Sequence, residues 1–218
     1  MRQNAIMRVD HEEARYAFLA QLDTIAAVAD GLVDRQMMAT SHCIGWTVGD
    51  VLVHVHMGLQ EMLLGLVSPT DATPDTGADT YWRHQPPATD DTADEVAGMR
   101  FVRLVGAAYR RPTTAVRHLT PTMTGVRTAV TALRPGAVRF QGLVLTTGDF
   151  LATWAVELAV HHLDLTRELT LVSPEASALR LGRRTIEALT GKPLPGDDRT
   201  VLMTGAGRLP GSHPPVLG

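Results

Sequence analysis

Apolar side chains recur at every third or fourth position along most of this chain, which is the spacing of amphipathic helices. Phe18, Leu22 and Ile25 follow this spacing in a first helix expected over residues 11–33, with Asp10 as its N-cap. The same spacing predicts further helices over residues 47–66, 91–109, 113–133, 147–165 and 174–189. Most of the chain should therefore be helical.

The pattern changes in the segments that join these helices. Residues 68–90 are rich in Thr, Asp, Pro and Gly and predict a long loop. Residues 138–145 look short and extended, residues 200–203 could form a short strand, and an irregular tail follows Gly205. Long helices with one long crossover favour a mainly α fold, a four-helix bundle over residues 1–170 with a short C-terminal α(+β) extension over residues 171–218.

Composition narrows the possible partners. The 218 residues carry a net charge of −3 with 5% aromatic residues, which argues against nucleic acid as a partner. No apolar stretch is long enough to predict a membrane span. The single cysteine, Cys43, excludes an internal disulfide and favours a cytoplasmic location. Monomer and homodimer both remain open.

Two helices carry residues of the kind that bind metal ions. Glu157 and His161 are four residues apart in an apolar helix, so they lie on the same face. His54 lies in a second apolar helix about a hundred residues earlier. Three such ligands with an open fourth position are typical of catalytic zinc. The alternative is that Glu157 and His161 belong to a polar, solvated helix face, and that His54 is a core histidine.

Neighbouring polar residues are separated by helical geometry. His56 is turned about 200° from His54, and His162 about 100° from His161, so neither is expected to reach the same ion. Asp164, one turn after His161, either orients that imidazole or is a plain helix-end charge. Cys43 is interpreted as a buried or incidental cysteine rather than a nucleophile.

The segments Gly45–His54 and Thr147–Leu165 resemble the mycothiol-dependent maleylpyruvate isomerase family within the DinB-like bundle superfamily. The resemblance implies a DinB-like four-helix bundle with a divalent ion, usually zinc, held by His54, Glu157 and His161. It also implies mycothiol as co-substrate and a small-molecule electrophile as its acceptor. The predicted function is therefore a metal- and thiol-dependent S-transferase or isomerase.

Two arginines are candidates for binding carboxylates of the substrate or the thiol, because a guanidinium pairs with a carboxylate through two hydrogen bonds. They are Arg83, in the segment Tyr81–His84, and Arg208 near the C-terminus; each could equally be a surface charge. Two other functions remain open: a metal-dependent hydrolase, whose ion would activate water, and a non-catalytic binding bundle.

Overall fold

The structure is a computed structural model that describes residues 6–84, 93–211 and 213–217. These residues are mainly helical, with one small sheet. The helices are α1 (His11–Gly31), α2 (Asp34–Met37), α3 (Val48–Leu66), α4 (Ala93–Ala107), α5 (Thr114–Ala132), α6 (Thr147–Asp164), α7 (Ala176–Thr190) and α8 (Asp198–Gly205), with a 3-10 helix at Thr80–His84 and strands β1 (Pro69–Thr70), β2 (Ala137–Phe140) and β3 (Leu143–Thr146).

Four long helices form the predicted bundle. Helix α1 packs along α6 and against α5, while α3 packs along α5 and against α6. Helix α7 covers another side of α6, and α8 packs on α7. The expected mainly α bundle is confirmed, and its last helices extend the packing around α6.

Helix α6 occupies the centre of the molecule. Every residue of α6 except Glu157 is buried, as expected of a helix that is apolar on all sides. Helix α3 approaches α6 closely at Gly65, where an added Cβ would lie 2.6 Å from the Phe150 ring. Glu157 is therefore the least buried residue of this central helix.

A hairpin fixes the start of α6. Strands β2 and β3 are antiparallel, and β1 pairs with the other edge of β2. Gln141 and Gly142 form the turn with φ values of 48° and 80°, the left-handed backbone that two-residue hairpin loops require. Thr146, the last residue of β3, caps α6 by accepting a hydrogen bond from the Asp149 amide.

The sequence-based prediction differs from the structure in several places. The first helix ends at Gly31, and a separate short helix follows it. Part of the predicted loop forms β1 and the 3-10 helix, whereas residues 85–90 of that loop and residues 91–92 of the next predicted helix lie outside the described residues. The predicted strand at 200–203 is wrong, because α8 spans these residues and Asp197 caps it. A short apolar run such as Val201–Met203 does not by itself distinguish a strand from a buried helix.

Among the parts of the chain that the structure describes, no helix combines the length and apolar character that crossing a membrane requires.

Candidate metal centre

The three predicted ligands come together where α3 faces α6. His161 Nε2 lies 3.0 Å and His54 Nε2 lies 3.6 Å from the same oxygen of Glu157, Oε1. One potential ligand atom from each residue lies within 4.8 Å of the other two. The Glu157 side chain is 29% exposed and His161 is buried, so the three groups lie at the edge of the core rather than on a solvated helix face.

Capping hydrogen bonds at the starts of α3 and α6 help to fix the positions of His54 and Glu157. Helix α3 begins with the expected capping box, in which Thr47 and Asp50 satisfy each other's backbone amides. At the start of α6, Asp149 accepts hydrogen bonds from the Val9 amide and from the Arg8 guanidinium. Because both helix starts are fixed by hydrogen bonds, the faces that carry His54 and Glu157 are fixed as well.

The electrostatics of the site favour the ionised form of Glu157 and the protonated form of His161. Burial would raise the pKa of Glu157, but the adjacent imidazoles of His161 and His54 outweigh burial and hold that pKa well below its usual range. Burial would lower the pKa of His161, but Glu157 and the hydrogen bonds to Asp164 and Cys43 raise that pKa well above its ordinary value. The ionised carboxylate of Glu157 thus lies between two imidazole rings, and a divalent cation bound here would take the place of the proton on His161 Nε2.

Asp164 orients His161, one of the two roles considered for it. Its Oδ2 lies 3.0 Å from His161 Nδ1, and its side chain is fully buried. Arg208 donates to both carboxylate oxygens, from Nε to Oδ1 at 3.0 Å and from Nη2 to Oδ2 at 3.2 Å. Burial would raise the pKa of Asp164, but His161 and Arg208 hold it well below its usual range. The C-terminal segment is therefore tied to the imidazole through this carboxylate.

Cys43 belongs to the same cluster. Its thiol donates to Asp164 Oδ2 at 3.0 Å, and Arg208 Nη2 lies 3.4 Å from its sulfur. Burial raises the pKa of the thiol, which disfavours the thiolate needed of a nucleophile. Cys43, His161 and Asp164 also form a possible ligand group, but the Arg208 cation contacts both the thiol and the carboxylate. The geometry therefore favours an ion at His54, Glu157 and His161.

The two other histidines point elsewhere, as helical geometry predicts. His56 Nε2 lies 3.0 Å from the Thr122 hydroxyl on α5. His162 is fully buried, with Nδ1 3.1 Å from Gln21 Nε2 on α1, and burial lowers its pKa to about 4. Both rings serve packing between helices.

A cavity of about 650 Å³ opens in front of the three candidate ligands. The predicted loop contributes Tyr81 and Trp82 to its wall, whereas Arg83 is exposed and is not among the lining residues. Arg208 does line the cavity, but its guanidinium is paired with Asp164. Of the two arginines named from the sequence, Arg208 lines the cavity, whereas in residues 68–90 the sequence indicated the segment but not the residues that face the cavity.

Several lining residues were not identified from the sequence. Trp46 packs on His54 with ring centroids 5.1 Å apart, and Trp154 and Leu217 form other parts of the wall. Trp154 lies three residues, about one turn, before Glu157 on α6, so its place on the cavity face could have been read from helical spacing. For Leu217, in an irregular tail, no sequence signal was present.

Comparisons with known proteins agree on the fold. The family model of the mycothiol maleylpyruvate isomerase N-terminal domain matches residues 18–166. The crystal structure of a histidine-to-alanine mutant of the mycothiol-dependent maleylpyruvate isomerase is similar, with a TM-score of 0.62. That similarity covers 92% of this chain and 90% of the other, at 13% sequence identity. No curated protein matches.

Proposed function

This chain belongs to the mycothiol maleylpyruvate isomerase family, and we propose that it is an enzyme that joins a low-molecular-weight thiol to an electrophilic small molecule. One observation carries the proposal: two imidazoles and a carboxylate converge within 4.8 Å of one another at the wall of an open cavity. Mycothiol, the thiol in the family's name, is the expected co-substrate.

His54, Glu157 and His161 would hold a divalent ion, most readily zinc. Two imidazole nitrogens and one carboxylate oxygen match the donor set of catalytic zinc, which keeps one position open. When bound, such an ion supplies stabilisation of a thiolate at neutral pH, and the thiolate is the reactive form of a thiol.

The remaining residues of the cluster would position the ligands. Asp164 accepts a hydrogen bond from Nδ1–H of His161, so the lone pair of the neutral ring would be on Nε2, the nitrogen that would bind the ion. Arg208 fixes Asp164 through two hydrogen bonds and compensates its buried charge. In this proposal Arg208 acts through Asp164 rather than on the substrate.

The thiol sulfur would form a bond to an electrophilic carbon of the substrate, the thiol proton would pass to water, and the electron pair of a π bond or of a leaving group at that carbon would be displaced. In an isomerase, rotation about the adjacent bond and loss of the thiol would follow, so the thiol is regenerated. In a transferase, the conjugate would leave as the product. The two outcomes differ in whether the thiol is consumed.

Metal analysis combined with thiol-dependent turnover tests the proposal. We expect the purified protein to bind one divalent ion per chain and to convert electrophiles, maleylpyruvate among those tried, only when mycothiol is present. Bound metal with hydrolysis that needs no thiol would support the hydrolase alternative. A protein that binds no ion and converts no electrophile would contradict any catalytic function.

A further inference from the structure

The wall of the cavity is mainly apolar and includes several aromatic side chains. Trp46, Trp82 and Trp154 face it from three different parts of the chain. We infer that the electrophile accepted here is an uncharged, ring-bearing apolar molecule and not a carboxylate, an inference that rests on the function proposed above. Aromatic walls bind flat apolar groups through buried area and ring–ring contact.

The mouth of the cavity continues the apolar surface. Ile44 and Phe101 both line the cavity and are 86% and 54% exposed. Large apolar side chains that stay exposed beside a cavity gain burial when an apolar ligand covers them. A polar substrate would leave them in water, so these residues favour the apolar ligand.

The basic side chains of the described wall are either paired with a carboxylate or favoured in their neutral form. Among the described residues that line the cavity, Arg208 is the only arginine or lysine, and both oxygens of Asp164 accept its hydrogen bonds. Burial lowers the pKa of His42, another lining residue, which favours its neutral ring. A carboxylate in the cavity would give up its water without gaining a cationic partner from the wall.

A negatively charged side chain in the wall also disfavours an anionic substrate. Glu61 is exposed at the cavity, and its Oε1 accepts a hydrogen bond from Gln141 Nε2 at 2.9 Å. The Gln141 amide is a neutral donor, so this hydrogen bond does not cancel the charge of Glu61. An anionic substrate that enters past Glu61 would approach this carboxylate, which raises the energy of its approach.

A matched pair of electrophiles tests the inference. Chlorodinitrobenzene is neutral, and chlorodinitrobenzoate carries one carboxylate on the same ring. In each reaction the thiol sulfur bonds to the carbon that bears chlorine, the carbon–chlorine bond breaks, chloride leaves with the electron pair, and the thiol proton passes to water. The enzymatic kcat/KM with mycothiol is divided by the spontaneous rate constant, so that intrinsic reactivity cancels.

We expect this acceleration to be at least about tenfold larger for the neutral compound. Equal acceleration, or a preference for the carboxylated compound or for maleylpyruvate, would overturn the inference while leaving the thiol-dependent function intact. Acceleration of none of these compounds would overturn the proposed function, and the inference with it.

Two arginine substitutions on α4 provide a matched control. Phe101→Arg places a cation at the cavity mouth and should raise the acceleration of chlorodinitrobenzoate several-fold. Leu104→Arg adds the same charge on the same helix at a residue that is 67% exposed and does not line the cavity, so it should change neither reaction. Glu61→Gln should also reduce the preference for chlorodinitrobenzene over chlorodinitrobenzoate, because it removes a negative charge from the wall. No change in preference in Phe101→Arg and Glu61→Gln would contradict the inference.

Discussion

At the scale of single residues, Glu157 is the most diagnostic side chain. Glu157→Gln keeps the size of the side chain and removes its charge, so we expect affinity for the divalent ion to fall by more than about 100-fold, since even groups behind the ligands change it 10–100-fold. Competition with a chelator of known affinity measures this change. His56→Ala is the control, because that ring contacts Thr122 on α5 and should leave ion affinity unchanged.

An unchanged affinity in Glu157→Gln would identify Glu157 as a polar wall residue rather than a ligand. The circular dichroism spectrum should stay that of the folded bundle in both variants. Because Gln and Glu side chains have nearly the same size, a loss of ion binding in this variant reports on coordination and not on folding.

His162 should make stability depend on pH. Burial lowers its pKa to about 4, while the unfolded chain binds the proton at an ordinary value near 6.5. Between these values the unfolded state holds more protons, so the free energy of unfolding should fall as pH falls from 6.5 to 4, by on the order of 3 kcal/mol. Urea unfolding of the chelator-treated protein across this range measures it.

His162→Asn is the matching variant for this pH dependence. The Asn oxygen can accept the Gln21 hydrogen bond that His162 Nδ1 receives, but Asn does not titrate. The free energy of unfolding of the parent minus that of the variant should therefore fall by on the order of 3 kcal/mol as pH falls from 6.5 to 4. A difference that stays constant over this range would show that His162 does not cause the effect.

At the scale of elements, glycine marks where helices approach. In Gly65→Ala the new methyl group would meet the Phe150 ring, so we expect α3 and α6 to separate slightly and stability to fall by about 1–3 kcal/mol. Gly125→Ala, inside α5 with nothing within 4 Å of the added carbon, should stabilise by about 0.5–1 kcal/mol. Thermal unfolding of both variants compares them; equal effects would contradict the close α3–α6 approach.

Elements with strong periodicity or clear caps could be predicted from the sequence. The start of α3 at Thr47 and of α6 at Thr146 follows from hydrogen bonds between residues three apart, which a sequence displays directly. The strand predicted at 200–203 failed because Val201 and its neighbours are buried by α7, a tertiary contact that the local pattern does not contain.

At the scale of the whole molecule, Arg208 ties the C-terminal segment to the bundle. Arg208→Ala would leave the buried charge of Asp164 uncompensated, so we expect a loss of about 3 kcal/mol in the free energy of unfolding. In an Asp164→Asn background the same change should cost less than about 1 kcal/mol, because no charge remains to be compensated. Urea unfolding of the four proteins gives this cycle, and equal costs in both backgrounds would refute the coupling.

The candidate site was predictable to the extent that it depends on helical spacing. The spacing of four between Glu157 and His161 places them on one face whatever surrounds the helix. Arg208 was chosen from the sequence for a role toward carboxylates, and it does pair with one, but that carboxylate is Asp164 of the chain itself. Which partner an arginine reaches depends on the path of the chain between them, and spacing along the sequence does not encode that path.

The distance along the chain between α3 and α6 also has a kinetic consequence. His54 and Glu157 are about a hundred residues apart, so they meet only after a long loop has closed, an event that tends to come late in folding. A contact absent from the transition state changes the rate of unfolding and not the rate of folding. Added zinc should therefore prolong the lifetime of the native molecule in denaturant, while refolding proceeds at the same speed with or without the ion.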